Sequence, residues 1–181
     1  IWHDLADYAD LPQLSSAYKQ QGNELLSRAL AYIESPVTNL YVKGKILLWQ
    51  NRLREARPYY IRALSLCRAN DVELRSILYS SLASIDLRLH NVESATHYYL
   101  LSVHNDVSDA IVETVAIRDL AQLLSDQYKD AYKSSDLLMA AMDNAKYFGT
   151  RYRLNAMGSL VPLLQGQKET IEKNREETLV W

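Results

Sequence analysis

Two stretches of the sequence repeat one phrase. "EARPYYIRALSLC" begins at Glu55 and "ESATHYYLLSVHN" at Glu93. Aligned on Ala56 and Ala95, each reads alanine, two residues, a tyrosine pair, two residues, then a small residue (Ala63, Ser102) before an apolar one. The separation is 95 − 56 = 39 residues. Another small residue, Gly44 or Ala83, stands 12 before each alanine, and Tyr60 or Tyr99 stands 4 after it. Such paired small and large positions describe two helices that approach closely and a bulky side chain that fills the next gap. A unit of that kind, repeated at a fixed period, buries its apolar face by stacking on its neighbours.

The rest of the chain supplies the helices. Leu14, Ala17, Tyr18, Leu25, Leu26, Ala29 and Ile33 keep helical spacing over Leu14 to Ile33. Ser35 before Pro36 ends that helix. Further helices are predicted from Val37 to Trp49, Leu53 to Ala69, Asp71 (as N-cap) to Leu89, Ala95 to Val107, and over roughly 110–126 and 128–148. "DVSD" at 106–109 reads as a cap, and "FGT" at 148–150 as a glycine C-cap and a restart. Pro58 should kink its helix or delay its start, and Pro162 should bend the last one. The spacing of small and aromatic residues matches the tetratricopeptide signature twice in one register. The expected fold is therefore all-α: a tetratricopeptide-like solenoid of helical hairpins, about nine helices in all, with the last kinked near Pro162. A third copy is read with Leu120-Ala121 in the first helix and Ala131 in the second; the distance is 10 rather than 12, and Ser135 stands where an aromatic is expected. "IWHDLADYADL" reads as the end of an earlier helix.

Composition agrees. With 181 residues, only 5 Gly and 4 Pro, the chain lacks turn material for an all-β fold. A net charge of −2 gives no electrostatic drive toward nucleic acid or an anionic membrane surface. Cys67 is the one cysteine, so no internal disulfide or thiolate metal cluster can form.

Reactive constellations are scarce. His90, His97 and His104 recur every 7 residues, but two helical turns separate neighbours by about 10 Å, too far to share one ion. Asp4, Asp7 and Asp10 share a helix face, which reads as solvated. Cys67 has no histidine near it in sequence, and no phosphate loop, nucleophile elbow or His-Glu-x-x-His is present. The expectation is a non-enzymatic chain without cofactor or metal.

A helical solenoid does offer a concave face lined by the first helix of each hairpin. The register of Gly44 places Tyr41, Lys45, Leu48 and Trp49 there; that of Ala83 places Ser80, Ser84, Leu87 and Arg88; that of Ala121 places Arg118 and Gln122. Aromatic and cationic side chains on a concavity suit a peptide, a protein or a small polar ligand. Trp49 reads equally as groove or as core beside the turn.

The tail changes character. Lys168/Glu172, Glu169/Lys173 and Lys173/Glu177 are i, i+4 pairs of opposite charge, a pattern for a helix standing in solvent. Leu-Val-Trp then follows, either the approach to a membrane span or a plain chain end. The division expected is a repeat domain over 1–161 and a charged helix over 162–181, with membrane contact only through a segment beyond Trp181.

The phrases "DLADYAD", "LYVKGKILLWQNRLREA", "SSLASIDLRLHNVESATHYYLLSVHNDV", "AIRDLAQLL" and "RYRLNAMGSLVPLL", in that order, resemble the helical-repeat sensor region of a Bacteroidetes family of membrane-bound regulators. The resemblance runs from Asp4 to about Leu164. It implies a periplasmic sensor fragment of a membrane-bound transcriptional regulator, binding no nucleic acid itself, with oligomerisation open. The alternative is a free-standing scaffold for protein–protein interaction, which would be cytoplasmic.

Overall fold

The computed structural model describes residues 12–108, 115–147, 158 and 161–179. These residues hold eight α-helices and no strand: α1 (Pro12–Ala29, followed by a 3-10 turn over Leu30–Tyr32), α2 (Pro36–Trp49), α3 (Leu53–Leu66), α4 (Val72–Arg88), α5 (Val92–Ser108), α6 (Val115–Tyr128), α7 (Ala131–Tyr147) and α8 (Val161–Leu179). The all-helical hairpin repeat read from the 39-residue period is what the chain forms. The "IWHDLADYADL" helix, the three acidic residues in it and the restart after "FGT" lie outside the described residues.

The chain divides into two compact units, Ile1–Asn91 and Val92–Trp181. Within the first, α2 packs on α1, α3 on α2 and α4 on α3. Within the second, α6 packs on α5, α7 on α6 and α8 on α7. Each helix thus leans on its neighbour in sequence.

The period is written in the turns. The first helix of each hairpin is followed by a residue in the left-handed region: Asn51 (φ 62°), His90 (φ 64°) and Lys129 (φ 56°). Their spacings are 90 − 51 = 39 and 129 − 90 = 39. At the first two turns the backbone closes a Schellman motif. Asn51 N–H donates to the Leu48 carbonyl at 3.1 Å and Arg52 N–H to that of Leu47 at 2.9 Å; His90 N–H donates to Leu87 at 3.0 Å and Asn91 N–H to Asp86 at 2.8 Å. At the third turn the closing bond spans one residue more, from Asp130 N–H to the Leu124 carbonyl at 3.1 Å. The extra residue has a source: Ala121 stands eight before its turn residue, whereas Gly44 and Ala83 stand seven before theirs.

Counting forward from these turns gives one layer three times. Five residues on are Ala56, Ala95 and Ser134; nine on are Tyr60, Tyr99 and Leu138; twelve on are Ala63, Ser102 and Ala141. All nine are at most 2% exposed. This corrects the register expected for the third copy. Ser134, not Ala131, is the counterpart of Ala56 and Ala95, and the filler is Leu138, while Ser135 stays half-buried. A hydroxyl is tolerated at Ser134 because its Oγ donates to the Ala121 carbonyl of the facing helix at 2.6 Å. Leu138 then joins Ile117, Ala121, Ala141 and Leu164 in the core of the second unit.

Helix ends show which polar residues cap. Ser35 accepts the Thr38 N–H at 3.3 Å and Pro36 occupies the first turn of α2, where its missing N–H costs nothing. Asp130 accepts the Lys133 N–H at 3.0 Å and caps α7. Asp71 stands at the N-cap position of α4, yet its side chain makes no cap bond. Its carboxylate instead turns back to accept the Arg68 N–H at 2.8 Å. Residues 106–108 of "DVSD" are still helical, as part of α5. Pro58 lies inside α3 without delaying its start at Leu53. Pro162 is the second residue of the described part of α8, and residues 159–160, where the expected bend would begin, lie outside the described residues.

Two features hold the first unit together. A Cβ at Gly44 would lie 2.9 Å from Cε2 of the fully buried Tyr60 ring, so only glycine admits that ring. Across α3 and α4, Arg57 grips the fully buried Asp86 with Nε–Oδ1 at 2.7 Å and Nη2–Oδ2 at 3.0 Å. Breaking one side of such a pair leaves a buried uncompensated charge. Arg57→Met should therefore cost about 3–5 kcal/mol in urea unfolding, and an added Asp86→Leu should restore much of it. Gly44→Ala should cost about 1–3 kcal/mol by overpacking; Gly44→Ala with Tyr60→Leu, the residue type the third layer uses, should lose less than the sum of the two single changes.

Candidate functional site

The ten residues expected to line a groove fall in both units, and each set is described in its own; Leu87 is half-buried. In the first unit Tyr41, Lys45 and Trp49 follow one another at i, i+4, i+8 along α2, and all three are half-buried. The Lys45 ammonium lies 5.5 Å from the centre of the Tyr41 ring and 4.7 Å from that of Trp49, and Nζ donates to the Tyr41 hydroxyl at 3.1 Å. Two cation–π contacts of this sort contribute about 0.5–1 kcal/mol each at partly exposed sites, so the lysine is held in place rather than free to swing. Tyr41 is itself positioned from below: its ring meets Tyr60 edge to face, with centroids 6.1 Å apart and planes at 72°. The packing layer therefore orients the first side chain of the stripe.

On α4, Ser80 and Ser84 are half-buried and Arg88 is exposed. The Arg88 guanidinium reaches the left-handed turn residue Asn51, with Nη2 donating to Oδ1 at 2.6 Å. That bond brings α4 to the end of α2, two residues past Trp49. Leu48 is half-buried. In the second unit Arg118 is taken up by Asp119 at 2.6 Å, and Asp119 also receives the Tyr99 hydroxyl at 3.4 Å. Gln122 donates to Asp126 at 2.7 Å. Arg118 and Gln122 thus form a polar surface already engaged with carboxylates, unlike the stripe on α2.

Sequence reasoning missed Asn51 and Asp86. Asn51 stands in a turn whose left-handed residue is a different type in every repeat. Asp86 did leave a trace, being a lone carboxylate within the otherwise uncharged run "LASIDL". The three histidines hold no metal site: His90 is a turn residue, all three are exposed, and among the described residues no group of His, Cys, Asp or Glu could hold an ion. Cys67 is half-buried, and burial, with the Asp71 charge, pushes its thiol up and away from the nucleophilic form.

The helical-repeat fold is shared with known proteins. Residues 1–159 match the family described as the SusR N-terminal TPR domain. This chain belongs to that family. No curated protein matches the sequence. The fold is similar to the crystal structure of BtubC (BKLC) from P. vanneervenii, with a TM-score of 0.62 at 17% identity, covering 82% of this chain and 63% of that one. At that identity the likeness concerns the fold alone, and the SusR-type TPR domain spans less than two thirds of its length. Helical-repeat domains of this class generally mediate protein or ligand interactions, and they typically act as non-catalytic scaffolds. Among the described residues no helix is long and apolar enough to cross a membrane.

The layer tyrosines give this TPR domain a signature in alkali. Burial pushes the Tyr60 and Tyr99 phenols far up from their ordinary value, and Asp119 adds to the rise at Tyr99. The Tyr60 hydroxyl makes no hydrogen bond of good geometry; Tyr41 and Ser81 are the polar groups near enough to act on it. A phenol whose folded pKa is raised stays protonated while the unfolded chain ionises. Its stability contribution is therefore complete below about pH 10 and falls above it, by about 1.4 kcal/mol per pH unit for each phenol. Tyr60→Phe should cost little at neutral pH and remove its share of that alkaline loss; unfolding midpoints measured between neutral and strongly alkaline pH check it.

Proposed function

We propose that this TPR domain is the periplasmic sensor region of a membrane-anchored transcriptional regulator, non-enzymatic, that binds a ligand or partner on the face formed by α2 and α4. The observation that carries the reading is the family match over residues 1–159, joined to the helix that lies just beyond it. There the charged helix α8 is docked on the second unit by apolar contacts at its start and polar ones further along. Leu164 enters the core; Gln167 receives the Ser125 hydroxyl at 2.8 Å, Glu172 receives that of Tyr132 at 3.2 Å, and Lys168 lies 5.1 Å from the Tyr132 ring centre. Two apolar anchors at the start of the helix, Val161 and Leu164, with three exposed or half-buried polar ones beyond them, make a grip that a modest free energy can shift, as an output helix requires. The repeat domain over 1–161 would then sense, and 162–181 would pass the change toward a membrane segment of the full protein.

The test is a reporter assay of the full-length protein. Leu164→Ala combined with Tyr132→Ala should alter signalling at least about fivefold, the low end of allosteric coupling, while leaving binding at the α2 face unchanged. Unaltered signalling contradicts the reading. A stable multiprotein assembly captured with the wild-type protein, indifferent to these changes, would favour a static scaffold instead.

A further inference from the structure

The face assigned above carries two cations that meet no carboxylate among the described residues. The polar and ring partners of Lys45 are the Tyr41 hydroxyl, the Tyr41 ring and the Trp49 ring, none of them anionic. The partner of Arg88 is the neutral amide of Asn51. Two other cations of the first unit do meet a carboxylate, Arg57 with Asp86 and Arg52 with Glu55 at 2.6 Å, whereas Arg75, like Lys45, meets a tyrosine, with Nη2 donating to the Tyr79 hydroxyl at 3.3 Å. Helix α2 itself holds two lysines, Lys43 and Lys45, and no acidic residue. A positive edge thus exists on a chain whose net charge is −2. Lys45 is also fixed in direction by two aromatic faces, so its ordering entropy is already spent before a ligand arrives. Of the five guanidinium donors on Arg88, one is occupied.

We infer that Lys45 and Arg88 receive an anionic oxygen group of the ligand, a carboxylate or a phosphate, with Trp49 supplying the flat apolar wall beside it. The inference rests on the reading that the α2 and α4 face binds the ligand, and it names the class of group that face selects. Charge-assisted bonds from a preorganised ammonium and a forked guanidinium are the strong ones for such an oxyanion. The aromatic wall favours an anion carried on a planar or ring-like body over a bare ion.

The experiment titrates the purified domain at low ionic strength with sodium benzoate, inorganic phosphate and neutral benzamide, following the indole N–H of Trp49, assigned by its loss in Trp49→Phe. The inference expects benzoate, phosphate or both to shift that signal and benzamide not to. Lys45→Met, which keeps the stem between the rings, should weaken anion binding at least about tenfold, and Arg88→Gln should weaken it by a smaller factor. Lys45→Arg should retain binding, which separates loss of charge from loss of fold. Lys43→Met removes the same charge from an exposed position on α2 and should change affinity by less than about twofold. A response to benzoate alone assigns a carboxylate, and one to phosphate alone a phosphate group. No Trp49 shift with either anion overturns the inference, as does equal weakening in Lys43→Met and Lys45→Met. If benzamide binds as well as benzoate and Lys45→Met makes no difference, the anion assignment fails while the α2 face stands as a binding surface.

Discussion

The structure depends on a turn of fixed geometry. Each first helix of a hairpin is followed by a residue in the left-handed conformation, at 51, 90 and 129, and the second helix counts its buried positions from there. None of the three is glycine, so each turn carries a conformational cost of about 1–2 kcal/mol, which the buried layer beyond it must outweigh. Because the turn sets where counting begins, the layer lands on 56, 60 and 63, on 95, 99 and 102, and on 134, 138 and 141. The extra residue ahead of the third turn is absorbed by a wider closing bond, not by a shifted second helix.

Function follows from what the layer leaves outside. Tyr60 occupies the space that Gly44 vacates, and the edge of Tyr41 rests on it. From there the stripe Tyr41–Lys45–Trp49 is set along α2, and the ammonium is clasped between two rings. The same unit neutralises the fully buried carboxylate of Asp86 with a forked arginine, Arg57. Lys45 and Arg88 differ from Arg57 in meeting no carboxylate among the described residues. In the second unit Arg118 is already engaged by Asp119. The proposed sensing face therefore lies in the first unit, and the proposed output helix is the one that Leu164 anchors in the second.

Much of this is legible in the residues. The tyrosine phrases at Ala56 and Ala95 place the fold and its period; that Tyr60 fills the space beside Gly44 of its own hairpin, and not only the gap to the next repeat, is seen in the structure. The third copy is misread from spacing by three residues because Ala131 looks like the expected alanine, although Ser135 stands four residues on where an aromatic is expected. The true copy replaces alanine with serine and tyrosine with leucine. Ser134 is tolerated only through its bond to the Ala121 carbonyl, a fact of three dimensions that spacing does not carry. The turn residues asparagine, histidine and lysine share no chemistry, so their common backbone state leaves no pattern to find. Asp71 looks like a cap and points the other way, since an aspartate before a helix can satisfy either the helix or the turn behind it.

The most direct test is thiol accessibility in the third repeat. On a Cys67→Ser background, single cysteines at Ser134, Ser135 and Leu138 would be alkylated with iodoacetamide in the folded protein and the rates compared with those of the unfolded chain. A constant 39-residue layer predicts strong protection at 134 and 138 and ready reaction at 135. Protection at 135 with reaction at 134 would place the second helix in another register, and the layered account would be wrong.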